Sequence, residues 1–141
     1  MGDEQERLRS LYESYLDACN KHDFTRMSTF YASPISINDT PTDPTRVTEQ
    51  FVPLVSAFPD WRWEVRHELV EGDLVALHFS VAGTHLGTFR GIAATGRRVV
   101  TSEFTLYRVE GDKFTHVWDI TDMDAVLEQI THTVVTKGNG F

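Results

Sequence analysis

Apolar residues recur at helical spacing near the start of the chain. Leu8, Leu11, Tyr12, Tyr15, Leu16 and Cys19 fall at i, i+3, i+4, i+7, i+8 and i+11, which predicts one amphipathic helix ending near Asn20. Asp23 is placed to cap a shorter helix carrying Met27, Phe30 and Tyr31, and Ser33-Pro34 stops it. A brief strand over Ile35 to Asn38 is expected next. Asp43-Pro44 then pairs an N-cap with a proline at the first helical position and opens a helix with Val47, Phe51, Leu54, Val55 and Phe58 inward. Pro53 removes a backbone donor inside that pattern, so a kink or two short helices are predicted.

After Phe58-Pro59-Asp60 the period drops to two. Trp63, Val65, His67 and Leu69 alternate with Arg62, Glu64, Arg66 and Glu68. Over 73–85, Val75, Leu77, Phe79 and Val81 alternate with Ala76, His78 and Ser80. Glu71-Gly72-Asp73 joins these strands, and Glu110-Gly111-Asp112 repeats the device between the last two, so two antiparallel hairpins are expected. The glycine-rich stretch 85–96 reads as a loop able to rim a pocket. Residues 97–108 alternate Val99, Thr101, Glu103, Thr105 and Tyr107 with Val100, Ser102, Phe104 and Leu106, and neither face is charged throughout. The final strand sets Phe114, His116, Trp118 and Ile120 on one face and Thr115, Val117 and Asp119 on the other. Near Asp122 the period returns to about 3.6 residues, with Met123, Val126, Leu127 and Ile130 on one stripe. Helices, then strands, then a terminal helix define an α+β domain over 1–130, with helices on one face of a curved antiparallel sheet. No period survives over 131–141, which reads as a C-terminal tail.

The aromatic face of the last strand suggests chemistry. If it lines a cavity, His116 and Asp122 stand at the wall beside the Trp118 indole, and an apolar wall disfavours the charged form of a carboxyl and suits it to proton transfer. The same Asp122 serves equally as the N-cap of the helix that follows, and His116 as a hydrogen-bonded wall residue. Glu103, mid-strand among apolar neighbours, is either a pocket acid or an interface group. His67 shares its predicted face with Trp63. Tyr15 reads as core or as a hydroxyl donor to a substrate carbonyl. His78 and Ser80 fall on the opposite face of their strand, which suits a subunit interface.

Composition narrows the classes. The chain has 141 residues and a formal net charge of −8 with acidic and basic residues intermingled, so nucleic acid and anionic membrane are not expected partners. The single cysteine, Cys19, has no internal partner and is read as a buried thiol. The charged N-terminal stretch leads straight into a helix, without the pattern of a signal peptide or a transmembrane segment, so a cytoplasmic location is expected. Metal-ligand and nucleotide-binding spacings do not occur in the sequence, and no cofactor is expected.

Several fragments, in order, resemble one family. Asn20-Lys-His-Asp23, Phe-Tyr-Ala-Ser33, Phe-Pro-Asp60, Glu-Gly-Asp73, Gly-Thr-His-Leu-Gly87, Gly-Ile-Ala-Ala-Thr-Gly-Arg-Arg98, Tyr-Arg-Val-Glu-Gly-Asp112 and Trp118-x-x-x-Asp122 are similar to the SnoaL-like polyketide cyclases of the nuclear transport factor 2-like superfamily. The resemblance spans about residues 8–130. It implies a cone-shaped α+β barrel whose N-terminal helices close a pocket, a homodimer, and cofactor-independent chemistry on a hydrophobic, polyketide-like carbonyl substrate. The implied reaction is enolisation followed by intramolecular aldol-type cyclisation; a non-catalytic binding or assembly module, or an isomerase or hydrolase variant, is the other reading. On this resemblance Asp122 matches the acid/base aspartate; His116, where members often carry a carboxylate or another polar residue, is expected from its own position to be the hydrogen-bond partner and proton relay of Asp122. Asn38 stands where many members carry histidine, and with Trp118, Glu103, His67, Tyr15 and Trp63 it completes the expected substrate-binding set.

Overall fold

A computed structural model describes residues 2–132. Helix α1 (Gly2–Asn20) is followed by α2 (Phe24–Ser28), strands β1 (Tyr31–Ile37) and β2 (Thr40–Thr42), and helices α3 (Pro44–Glu49) and α4 (Phe51–Ala57). Then come β3 (Arg62–Glu71), β4 (Leu74–Thr84), β5 (Arg98–Glu110), β6 (Lys113–Thr121) and α5 (Met123–Thr131). The six strands form one curved, unclosed sheet in the order β2-β1-β6-β5-β4-β3. Neighbours are antiparallel except β1 and β6, which run parallel.

Local chemistry accounts for most boundaries. Asp23 accepts from the Arg26 N–H and Asp43 from the Thr45 N–H, each capping a helix, and Pro44 occupies the first turn where its missing donor costs nothing. Pro53 divides the expected long helix, because it fits only within the first turn of a new one, and α3 and α4 result. The second helix is shorter than expected. It ends at Ser28, and Tyr31 instead opens β1, where its buried ring joins the core. Strand β2 was not legible in the sequence. It exists because Asn38 and Asp39 both take positive φ, 48° and 71°, which folds β1 back as a tight hairpin.

The core lies between α1 and the concave face of the sheet. Leu8, Tyr12, Tyr15 and Cys19 of α1 are buried as the stripe predicts. Tyr15 meets Phe114 edge to face at 4.9 Å, and Tyr12 meets Tyr107 at 5.1 Å. Each such ring stabilises by about 1.5–3 kcal/mol through burial, with the pair geometry adding to it.

Two bulges overturn part of the alternation. In β3 the register slips between Val65 and His67, so Arg66 is extra. Trp63 and Val70 both face the core, whereas His67 and Leu69 turn outward. In β6 the register slips opposite Arg108 and Val109, so Thr115 is extra. Phe114 and Val117 therefore both point inward, Asp119 and Thr121 follow Val117, and His116, Trp118 and Ile120 lie on the outer face. One inserted residue inverts the phase of everything after it, because side chains alternate with period two. The tail expected over 131–141 lies, from 133 onward, outside the described residues; Thr131 itself closes α5.

Candidate active site

Between α1, α3, α4 and the concave sheet lies a cavity of about 460 Å³. Val117, Asp119 and Thr121 of β6 reach it because of the bulge at Thr115, and Glu103 and Tyr107 reach it from β5 by plain alternation. Glu103 pairs with Thr121 across the strands, so Asp119 is its diagonal neighbour on the same face. Two carboxyl groups thus share one cavity wall.

Their surroundings differ. The Trp63 indole N–H donates to Glu103 Oε1 at 2.9 Å. Burial in this apolar wall pushes the Glu103 carboxyl up to about 7; hydrogen bonds from Trp63 and Thr121 work against the rise, and the charge of Asp119 adds to it. Asp119 is exposed and accepts from Asn38 Nδ2 at 2.9 Å, while its own backbone N–H donates back to Asn38 Oδ1 at 2.9 Å. Asn38 can make both bonds because its left-handed backbone aims the short amide at β6.

Further supports come from α1. The Asn20 side chain donates to the Trp63 carbonyl at 3.0 Å and accepts from the Trp63 N–H at 2.8 Å, fastening the end of the helix to the strand that holds the indole. Tyr15 and Tyr31 share a hydroxyl hydrogen bond of 2.6 Å at the cavity, and burial raises both phenols. Cys19 also lines the space, its thiol pushed up to about 12 by burial, which keeps it protonated and unreactive.

Of the residues expected at the site, Glu103, Trp63, Tyr15 and Asn38 line the cavity. Asp122 does not. It is exposed, and its carboxylate caps α5 by accepting from the Ala125 N–H at 3.1 Å. Its backbone is fastened to β5 through Ser102 and Thr101. His116 and Trp118 stack on each other at 5.4 Å on the outer face, where Trp118 donates to Asp39 at 3.0 Å. His67 lies on the same outer face beside His78, with the two Nδ1 atoms 3.0 Å apart. The expectation that His116, Trp118 and Asp122 line one wall is therefore corrected by the β6 bulge, and that for His67 by the β3 bulge.

Asp119 was missed for the same reason. Its only signal in the sequence is an acid sharing a face with Val117, three residues before the Asp122 cap, on the face opposite the expected cavity wall. Among the described residues no cluster of three or more His, Cys, Asp or Glu is arranged to hold a metal ion.

The chain that builds this cavity matches one family over most of its length. The family model for SnoaL-like polyketide cyclase covers residues 9–130. The chain belongs to that family. Among solved structures, this SnoaL-like chain is similar to AclR from Streptomyces galilaeus, a candidate hydroxylase, at 24% identity and a TM-score of 0.83, with 95% of this chain and 87% of AclR covered. A SnoaL-like polyketide cyclase from Agrobacterium tumefaciens matches at 26% identity and 0.74, covering 86% and 96%. IdmH from Streptomyces antibioticus, a candidate polyketide cyclase, matches at 25% and 0.77, covering 88% and 98%. No curated protein matches the chain. Among the described residues, no helix of the SnoaL-like domain is long and apolar enough to cross a membrane.

Proposed function

We propose that this chain is an acid/base enzyme acting on a hydrophobic, polyketide-like carbonyl compound by enolisation and intramolecular aldol-type ring closure. The observation that carries the reading is the pair Glu103 and Asp119 on one wall of a cavity lined largely by aromatic and aliphatic side chains. A cavity of about 460 Å³ falls in the range of small-molecule sites.

The roles follow from the surroundings. The Asp119 carboxylate takes a proton alpha to a carbonyl, and the enolate oxygen that forms accepts a hydrogen bond from the protonated Glu103. The enolate carbon then bonds to a second carbonyl carbon of the same folded chain, whose π electrons move to oxygen as an alkoxide. The proton held by Asp119 returns to that alkoxide, so the enzyme ends as it began. Donors placed where negative charge develops supply the stabilisation, and the Tyr15 and Tyr31 hydroxyls stand at the same cavity to share it. A carboxylic acid kept neutral by an apolar site acts in this way in ketosteroid isomerase, one of the general examples of tuned carboxyls.

A scaffold or pure binding module would fill the concave face with apolar side chains alone, and two converging carboxyl groups favour catalysis over that reading. The test is turnover of poly-β-carbonyl chains by Asp119→Asn and Glu103→Gln. Each is expected to fall by about 100-fold or more with the fold intact, and a change of less than about threefold in both would overturn the proposal.

A further inference from the structure

The cavity rim carries one arginine, and its setting is specific. Arg90 and Gly91 form the two-residue tip of a turn, with φ of 49° and 82°, closed by reciprocal backbone hydrogen bonds of 2.9 Å between Phe89 and Ile92. A left-handed backbone is uncommon for a residue with a Cβ, and such positions are kept where the surroundings demand them. The turn is held rigidly. Phe89 is buried against Phe58 at 5.2 Å, and the Leu86 and Gly87 N–H groups both donate to the Ala57 carbonyl at the end of α4. The loop lies so close there that a Cβ on Gly87 would sit 2.8 Å from the Ser56 oxygen.

On this tip the Arg90 guanidinium lies 5.1 Å over the Phe89 ring, which fixes its direction without a carboxylate. None of the ion pairs among the described residues includes Arg90. Of the residues lining the cavity it is the one Lys or Arg, facing a space that also holds Glu103 and Asp119. A chain of net charge −8 repels anions in general, so an unpaired, pre-aimed guanidinium at the mouth is a local exception to its own field.

We propose that Arg90 binds a carboxylate on the substrate, so that the compound processed is a carbonyl-bearing acid rather than its ester, with the acid group held at the rim and the reacting carbonyls toward Glu103 and Asp119. One planar fork matches one carboxylate, whose two oxygens take parallel N–H donors. The assignment of the reacting end rests on the acid/base reading above; the carboxylate site itself does not.

Binding measures it directly. Trp61 and Trp63 line the cavity, so their fluorescence reports occupancy by anthraquinone-2-carboxylate and by its methyl ester, titrated separately at about pH 6, where the probe acid is ionised. The carboxylate is expected to bind wild type about tenfold or more tightly than the ester. Arg90→Gln is expected to bring the carboxylate down to the level of the ester while the ester changes by less than about twofold, which also shows that the cavity has kept its shape. Arg90→Gly, which suits the left-handed backbone, should give the same result. Equal binding of the two probes by wild type, a preference that survives both substitutions, or no binding of either probe would overturn the proposal. Neither readout involves turnover. No carboxylate preference in wild type, or one that survives both Arg90 substitutions, with Glu103→Gln inactive would sink the Arg90 site alone, whereas full turnover by Glu103→Gln with a wild-type preference that Arg90→Gln abolishes would sink the acid/base reading alone.

Discussion

Glu103 and Asp122 show how surroundings assign work to the same functional group. Glu103 stands in a wall of aromatic rings, where burial raises its pKa from 4.5 to about 7. The sign of the consequence is fixed by linkage: between pH 4.5 and about 7 the unfolded chain ionises this group while the folded chain keeps it protonated, so stability falls across that window and levels above it. The loss amounts to up to about 3 kcal/mol. Denaturant unfolding between pH 4 and 8 should show it, and Glu103→Gln should flatten the dependence; an unchanged slope in the variant would refute the assignment. If protonated Glu103 holds the enolate, kcat/KM should also fall as pH rises through about 7. Asp122 sits in water and caps α5. Asp122→Ala should cost about 1 kcal/mol of stability, and Asp122→Asn, which still caps, should keep turnover within about threefold of wild type. A loss of about 100-fold in Asp122→Asn would return the acid/base role to this residue.

Among the elements, the C-terminal end of α1 is fastened to the start of β3 by one amide, with Gln5–Val70 and Arg9–Glu68 contacts further along. Asn20 makes both of its hydrogen bonds to the backbone of Trp63, whose indole in turn holds Glu103. Asn20→Ala leaves a partly buried N–H and C=O without partners, and a loss of about 1–3 kcal/mol is expected in urea unfolding, together with a displaced Trp63 emission. Wild-type stability in this variant would show that the pairing is incidental. The cap aspartates, the helix break at Pro53 and the regular alternation of β4 and β5 were all readable from local pattern, because each is decided within a few residues. The two strands with bulges were not. The extra residue at Arg66 or Thr115 leaves no mark on a hydrophobicity pattern, since whether a strand slips is decided by what its partner strand and the covering helix need to meet.

For the whole molecule, the bulges also create an outer face with unusual apolar content. Phe104 is 55% exposed and Leu69 and Ile120 are each 71% exposed, while the rings of His67, His78 and Phe104 stack in sequence across three strands. We propose that this surface is the seam of the homodimer that the family resemblance implies. Light scattering at micromolar concentration should give twice 16.1 kDa, and Phe104→Glu should give 16.1 kDa with an unchanged circular dichroism spectrum. A wild-type species of 16.1 kDa alone would exclude it. The sequence by itself determined the α+β class, the inward stripe of α1, the two hairpins and the presence of a carboxyl group at Glu103, since period, caps and turn residues act locally. Only the tertiary structure decided that Asp119 rather than Asp122 shares the cavity with Glu103 and that His67, His116 and Trp118 face away from it. The physical reason is the packing of Phe114 and Val117 into one core: both can face inward only if β6 takes an extra residue between them, and that insertion turns Asp119 inward with them.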